Sequence, residues 1–253
     1  MYKWKPKIPH HLFFKNAEKV IAVSDTIKYE YENRSSIEIN LIPPLLPFNK
    51  SNISKDVLLK DNGFDSNNLI ILSLGSIKKI KGSDVLLEAF FDLGEDYIKA
   101  NNLRLIFVGD GVLRSILEKR TVKKGYDNYV KFFGKIPYKK VSDMYKIADV
   151  YVIPSKFEGM PISLLEAMFN GLPCIGSDVD GINNLIVHRK NGLLFSKQNV
   201  SDLTECLKMI FDNKDFAQSL GDCAKLDYSK GYKFENMLYD HIKLYQSIFK
   251  RVK

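Results

Sequence analysis

Short apolar runs alternate with amphipathic stretches along most of the chain. Lys19–Ser24, Ile37–Ile42, Leu69–Gly75, Leu103–Gly109, Tyr129–Gly134, Val150–Pro154, Pro173–Ser177 and the short Leu193–Phe195 predict strands. They are rich in Ile, Val, Leu and Phe without clean polar alternation, as parallel strands buried on both faces are. Between them Asp84–Leu93, Val112–Lys124, Val141–Ile147 and Ile162–Asn170 predict helices. Strand, helix, strand at this spacing argues for an α/β parallel sheet with helices on both faces. No internal repeat is visible.

Two boundaries interrupt the pattern. Ile42-Pro43-Pro44-Leu45-Leu46-Pro47 holds three of the nine prolines and reads as a linker, since it cannot continue a helix or a central strand. Residues 1–44 then form a partial unit and linker: a helix, a strand and another helix are too little for a domain. Residues 45–230 form the main domain. Beyond Gly231, Phe234, Met237, Leu238, His241, Ile242, Tyr245, Ile248 and Phe249 recur at three- and four-residue steps. That predicts one long amphipathic helix over 231–253.

Composition narrows the class. With 253 residues, 45% hydrophobic and 27% charged, the chain is ordinary globular protein rather than disordered or low-complexity. Its net charge of +8 suits nucleic acid, anionic lipid or phosphorylated small molecules alike and selects none of them. No window holds the ~18 apolar residues of a membrane span, and residues 1–15 lack a signal peptide's apolar core. Cys174, Cys206 and Cys223 share no metal-ligand spacing and read as reduced cysteines of a cytoplasmic protein. The lysine-rich stretches, such as Lys119–Lys124 and Lys139-Lys140, lack interleaved aromatics and read as solvated faces, so no nucleic-acid partner is expected.

The densest chemistry is Pro154-Ser155-Lys156-Phe157-Glu158-Gly159-Met160-Pro161-Ile162-Ser163-Leu164-Leu165-Glu166-Ala167. A strand ends at Pro154, and Pro161 suits a helix's first turn. The carboxyl edge of a parallel strand is where such sheets bind ligands, and free N–H groups near Pro161 to Leu164 would attract an anion. Glu166, one turn on, can reach a neutral diol such as a ribose. The plainer reading of the spacing alone is a helix-start Glu and a solvated Glu.

This stretch resembles the Glu-x7-Glu motif of glycosyltransferase family 4, retaining enzymes of the GT-B fold that use nucleotide-sugar donors. Its surroundings match in the family's order: Val108-Gly109-Asp110-Gly111, Ala148-Asp149-Val150-Tyr151-Val152-Ile153-Pro154-Ser155, Ala167-Met168-Phe169-Asn170-Gly171-Leu172-Pro173-Cys174-Ile175 and Asn191-Gly192-Leu193-Leu194. The resemblance covers roughly residues 18–215. It implies a Rossmann-like domain, the C-terminal, donor-binding half of a GT-B fold, preceded by a remnant of the acceptor half at residues 10–33. By position, Glu166 resembles the carboxylate that holds the donor's ribose, and Glu158 the one that holds the transferred sugar. Gly159, Met160, Pro161, Ser163 and Leu164 belong to the same binding loop and helix start. Lys81, before Gly82, resembles the lysine that neutralises the departing diphosphate. Gly134, Lys135 and Ile136 follow the strand beside the nucleotide base. No metal and no cofactor is implied, the nucleotide-sugar being a substrate.

Two departures qualify the resemblance. The family usually has Gly-Arg before its Lys-Gly, where this chain has Gly75-Ser76 followed by Ile77, Lys78 and Lys79. Serine cannot grip a diphosphate as a guanidinium does, and a lost charge-assisted bond of ~1.5–3 kcal/mol slows catalysis about tenfold to a hundredfold or more. Lys78 or Lys79 is the candidate substitute. Asn184 also stands where the family often has Glu. The resemblance further implies a second, acceptor-side domain, and neither His10 nor His11 is identifiable with its histidine. The expected function is transfer of a sugar, with retention, to an acceptor glycan or lipid-linked sugar in cell-surface polysaccharide or glycolipid synthesis, in the cytoplasm or at the membrane's inner face. The alternative is a non-catalytic nucleotide-sugar-binding or regulatory subunit. The C-terminal stripe is the candidate contact with an acceptor-domain polypeptide or a second copy, through Phe234, Leu238, Ile242, Tyr245 and Phe249. Two weaker motifs are set aside. Gly109-Asp110-Gly111 lacks the third glycine of a dinucleotide fingerprint, because Arg114 holds that place. Asp178-Val179-Asp180 has no further carboxylates to support a metal.

Overall fold

A computed structural model describes residues 14, 16–33, 38–44 and 48–249. The chain divides into two compact units, one of residues 48–230 and one of residues 1–47 with 231–253. His10 and His11 lie outside the described residues.

In the smaller unit, β1 (Val20–Ala22) and β2 (Ile39–Leu41) pair in parallel, Val20 opposite Ile39. Between them runs α1 (Asp25–Glu32), whose Ser24 side chain caps the Ile27 amide.

The larger unit begins with α2 (Lys55–Asp61), then β3 (Leu69–Leu74), α3 (Ser83–Asp92), α4 (Glu95–Ala100), β4 (Leu103–Val108), α5 (Arg114–Lys123) and β5 (Val130–Gly134). It continues through α6 (Val141–Ile147), β6 (Val150–Ile153), α7 (Ile162–Asn170), β7 (Cys174–Ser177), β8 (Leu193–Phe195), α8 (Val200–Asp212) and α9 (Lys214–Gly231). The smaller unit closes with α10 (Phe234–Phe249). Every run that predicts a strand contains one; Leu193–Phe195 keeps its bounds and the others lose a residue or two at one or both ends. The helices α2, α4, α8 and α9 lie outside the predicted elements.

The six strands β3 to β8 form one parallel sheet in the order β5-β4-β3-β6-β7-β8. Their middles are buried on both faces: Ile70, Ile71, Leu72, Leu105, Ile106, Val150, Val152 and Ile175 have no exposed surface. This explains the unbroken apolar runs, because a strand covered by helices on both sides has no solvent face to keep polar. Right-handed crossovers in this order put the helices before and after the reversal on opposite faces. Accordingly α3 packs on α8, while α6 packs against α2 and α7.

Several of the matching motifs are structural. Asp149, just before β6, accepts the Ile70 amide at 2.8 Å and the Lys55 ammonium at 2.6 Å, fixing the start of β3. Asn191 is buried; it accepts the Val187 amide and donates to the Leu185 carbonyl and to Asp227, tying the β7–β8 loop to α9. Gly109 has φ +133°, and a Cβ there would lie 1.9 Å from the Gly75 carbonyl oxygen. The glycine-rich turn after β4 is therefore a packing requirement between neighbouring loops. Arg114, where a fingerprint glycine would stand, bonds Glu118 at 2.8 Å. Among the described residues no helix is long and apolar enough to cross a membrane.

Candidate functional site

The strand order reverses between β3 and β6, so the loops leaving their carboxyl ends diverge and open a crevice. From β3 the chain passes Gly75-Ser76-Ile77, turns through the short 3-10 segment Lys79–Lys81 and enters α3 at Gly82. From β6 it passes Pro154 to Pro161 and enters α7. The loops are knitted together: the Lys156 amide donates to the Ile80 carbonyl at 2.8 Å. Gly82 makes this contact possible. Its φ is +69°, and a Cβ would sit 1.9 Å from the Pro154 carbonyl oxygen. The glycine of the Lys-Gly pair thus lets Lys81 close on the second loop.

Lys81 reaches Glu158 across 77 residues of sequence, Nζ to Oε1 at 2.7 Å. The same Oε1 accepts from Ser155 Oγ at 2.6 Å, and the Ser155 carbonyl is in turn held by the Ser177 hydroxyl. Glu158 is buried, with one oxygen committed to these two donors. Oε2 has no protein donor among the described residues.

Two helix starts face the same space. α7 begins at Pro161 without a side-chain cap, and Pro161 accepts only from the Leu164 and Leu165 amides. The Ile162 and Ser163 amides find no acceptor among the described residues, which leaves an anion-attracting terminus. α3 likewise begins at Gly82 without a side-chain cap.

Glu166 lies one turn into α7 and is 7% exposed. Tyr145 Oη bonds its Oε2 at 2.9 Å, and Tyr138 lines the same cavity as Glu166. Burial raises the Glu166 pKa above the ordinary carboxylate value, against the nearby Tyr145 and Tyr138 hydroxyls, which favour the charged form.

These groups enclose a cavity of about 410 Å³. Of the residues expected from the sequence, Gly75, Ser76, Lys81, Glu158, Met160, Pro161, Ser163 and Glu166 line it. Lys78, Lys79, Gly134, Lys135, Ile136, Gly159 and Leu164 do not. Lys79 is paired with Asp84, and Leu164, on the buried face of α7, has no exposed surface. A second cavity of about 590 Å³ shares Tyr138, Val141 and Glu166 with the first and extends to the 48–53 segment. Sequence reasoning missed Ser83, Tyr138, Tyr151 and Ser155, which also line the first cavity. Ser155 and Tyr151 lie within the matching stretches without being singled out, and Ser83 follows Lys81-Gly82; Tyr138 carries no local signal. Asn184 lines neither cavity, and Asp178 accepts from the Asn183 side chain at 2.9 Å. Among the described residues no three His, Cys, Asp or Glu side chains gather as metal ligands.

Comparisons with known proteins agree with this geometry. The family model described as glycosyl transferases group 1 matches residues 54–227. An uncharacterized glycosyltransferase of Methanocaldococcus jannaschii is 27% identical over 252 residues, covering 96% of this chain and 65% of its own. The alpha-monoglucosyldiacylglycerol synthase of Acholeplasma laidlawii is 29% identical over 195 residues, covering 75% of this chain and 48% of its own. Among solved structures, Anabaena HepE in complex with UDP and glucose superposes with a TM-score of 0.83. That pair is 18% identical, over 94% of this chain and 65% of the other, and the likeness is one of fold. The chain thus spans between about half and two thirds of the length of these relatives. A family match that runs from α2 to α9, over the sheet that carries the crevice, makes this chain a member of the glycosyl transferases group 1 family, with the fold of a GT-B C-terminal domain.

Proposed function

We propose that the crevice binds a nucleotide-sugar and serves its transfer, with retention, to an acceptor glycan or lipid-linked sugar in cell-surface polysaccharide or glycolipid synthesis. The observation that carries this reading is the gathering of Glu158, Glu166, Lys81 and two uncapped helix starts around one cavity. The chemistry of each group suits one part of such a donor. Glu166 accepts from the ribose diol, at the junction of the two cavities. Glu158, with Oε1 held by Lys81 and Ser155, offers Oε2 to hydroxyls of the sugar. Lys81 and the helix starts meet the negative charge that grows on the diphosphate as the glycosidic bond breaks. The HepE complex holds UDP and glucose, and the Acholeplasma relative is named for a glycolipid product, which supports the donor and acceptor classes.

Calorimetry of the 253-residue chain against UDP-, GDP- and ADP-sugars, with and without chelator, tests the reading. One donor is expected to bind irrespective of chelator. Glu166→Ala and Lys81→Met should each weaken it by about tenfold or more, the worth of a hydrogen bond to a charged group. Strict dependence on a divalent cation, or equal binding by Glu166→Ala, would sink it.

A second reading, a non-catalytic nucleotide-sugar-binding subunit, is favoured by Ser76, which lines the cavity where the family usually has arginine. Transfer to an acceptor, assayed with this chain alone and beside an acceptor-domain polypeptide, separates the two. Binding without transfer in either case supports the subunit.

A further inference from the structure

Two buried tyrosines lie under the start of α7, and the sequence assigned neither of them a role in the site. Tyr151 comes from the middle of β6 and Tyr145 from α6; their rings are 5.8 Å apart, between centroids, and tilted by 55°. Both are almost wholly buried. A hydroxyl kept in such a place costs free energy unless it makes specific bonds. Both hydroxyls make them to the same turn of the same helix. Tyr151 Oη donates to Ser163 Oγ at 2.7 Å, and Tyr145 Oη bonds the Ser163 carbonyl and Glu166 Oε2, each at 2.9 Å.

Counting protons shows what these bonds do. Ser163 Oγ receives the Tyr151 proton, so the serine's own proton must go elsewhere. No acceptor for it is found among the described residues, and Ser163 lines the cavity. It is available to an anion beside the free Ile162 and Ser163 amides. Tyr145 carries one proton between two acceptors, a carbonyl fixed in the helix and the carboxylate of Glu166. The carboxylate is thereby referenced to the helix backbone, so its rotation is tied to the turn that holds the anion. A carboxylate that grips a vicinal diol needs that alignment, because both hydroxyls must reach it together.

We propose that Tyr145 and Tyr151 are positioning residues of the donor site, Tyr145 aligning Glu166 for a vicinal diol and Tyr151 freeing the Ser163 proton for an anion. The proposal rests on the nucleotide-sugar reading above and gives its two parts separate supports.

The test uses the full chain and the tightest-binding of UDP, GDP and ADP, beside its 2′,3′-dideoxy counterpart. Wild type should prefer the ribonucleotide by about tenfold or more. Tyr145→Phe should lose most of that preference while keeping its affinity for the dideoxy form. Tyr151→Phe should weaken both forms by the same factor, leaving the preference intact. A merely structural role would weaken both forms equally in Tyr145→Phe. If wild type discriminates and Glu166→Gln does not, a Tyr145→Phe protein that still discriminates overturns the proposal. Absence of nucleotide binding by wild type overturns the donor reading itself. Should Tyr145→Phe fail to fold, 3-fluorotyrosine placed at position 145 keeps the hydroxyl and reports on it. Its fluorine resonance should move with the ribonucleotide and not with the dideoxy form; identical responses to both overturn the proposal.

Discussion

Glu166 is asked to be charged by its ligand and neutral by its surroundings. Desolvation raises its pKa above the ordinary value of 4.5, and the tyrosine hydroxyls oppose that without cancelling it. A carboxyl whose pKa is higher folded than unfolded takes up a proton on folding. Its contribution to stability is full below pH 4.5 and is lost as pH rises through the folded pKa. Glutamine keeps the shape and the acceptor oxygen but cannot ionise. Glu166→Gln is therefore expected to melt close to wild type at acid pH and progressively above it as the pH is raised to neutrality, in the absence of ligand. Paired thermal melts across that range check this, and a difference that stays flat would contradict it. The same substitution should weaken nucleotide binding, so stability and function part company at this one residue. Glu158 differs in kind. Its charge is met by an ammonium and a hydroxyl within hydrogen-bonding distance, so its first oxygen is bound before any ligand arrives.

At the scale of elements, the site depends on two loops touching, and Gly82 is where they touch. Alanine there would hold a left-handed φ of +69° and drive its Cβ into the Pro154 carbonyl. The backbone term alone costs about 1–2 kcal/mol, and the clash adds to it. Gly82→Ala should lower the urea midpoint by at least that equivalent and also weaken nucleotide binding, because Lys81 is drawn away from Glu158. A fully stable variant with normal binding would show that the contact is dispensable. The same elements mark what sequence could reveal. The strands were legible because burial on both faces forces uninterrupted Ile, Val, Leu and Phe. α8 was legible too, through Leu203, Leu207 and Ile210, although it stood outside the predicted set. α9 was not, since its buried face, Leu220, Gly221, Ala224 and Tyr228, is built half from Gly and Ala, which carry little apolar signal. Glu158, Glu166 and Lys81 stood out because the loop and helix residues around them follow a family pattern. Tyr145 and Tyr151 did not, because a tyrosine on the buried side of a helix or in an apolar strand looks like core until its hydroxyl is traced to Ser163 and Glu166.

At the scale of the whole chain, the C-terminal helix α10 leaves apolar surface uncovered. Its stripe divides: Met237 is buried and Phe234 and Leu238 half-buried, whereas Ile242, Tyr245 and Phe249 are exposed. The contact expected through Phe234, Leu238, Ile242, Tyr245 and Phe249 therefore narrows to Ile242, Tyr245 and Phe249, spaced three and four residues apart on one face. Side chains of this size gain about 1.5–3 kcal/mol each on full burial, so three neighbours left in water favour association. The proposed occupant is an acceptor-domain polypeptide or a second copy of the chain. Because these three side chains are exposed, charging them does not empty the core. Ile242→Asp/Tyr245→Asp should fold and melt like wild type. Sedimentation at rising concentration distinguishes the occupants: self-association in wild type that the double variant abolishes identifies a second copy. A wild type that stays monomeric, yet binds an added acceptor-domain polypeptide that the variant does not, identifies the other. A wild type that does neither would end the claim that this face is an interface.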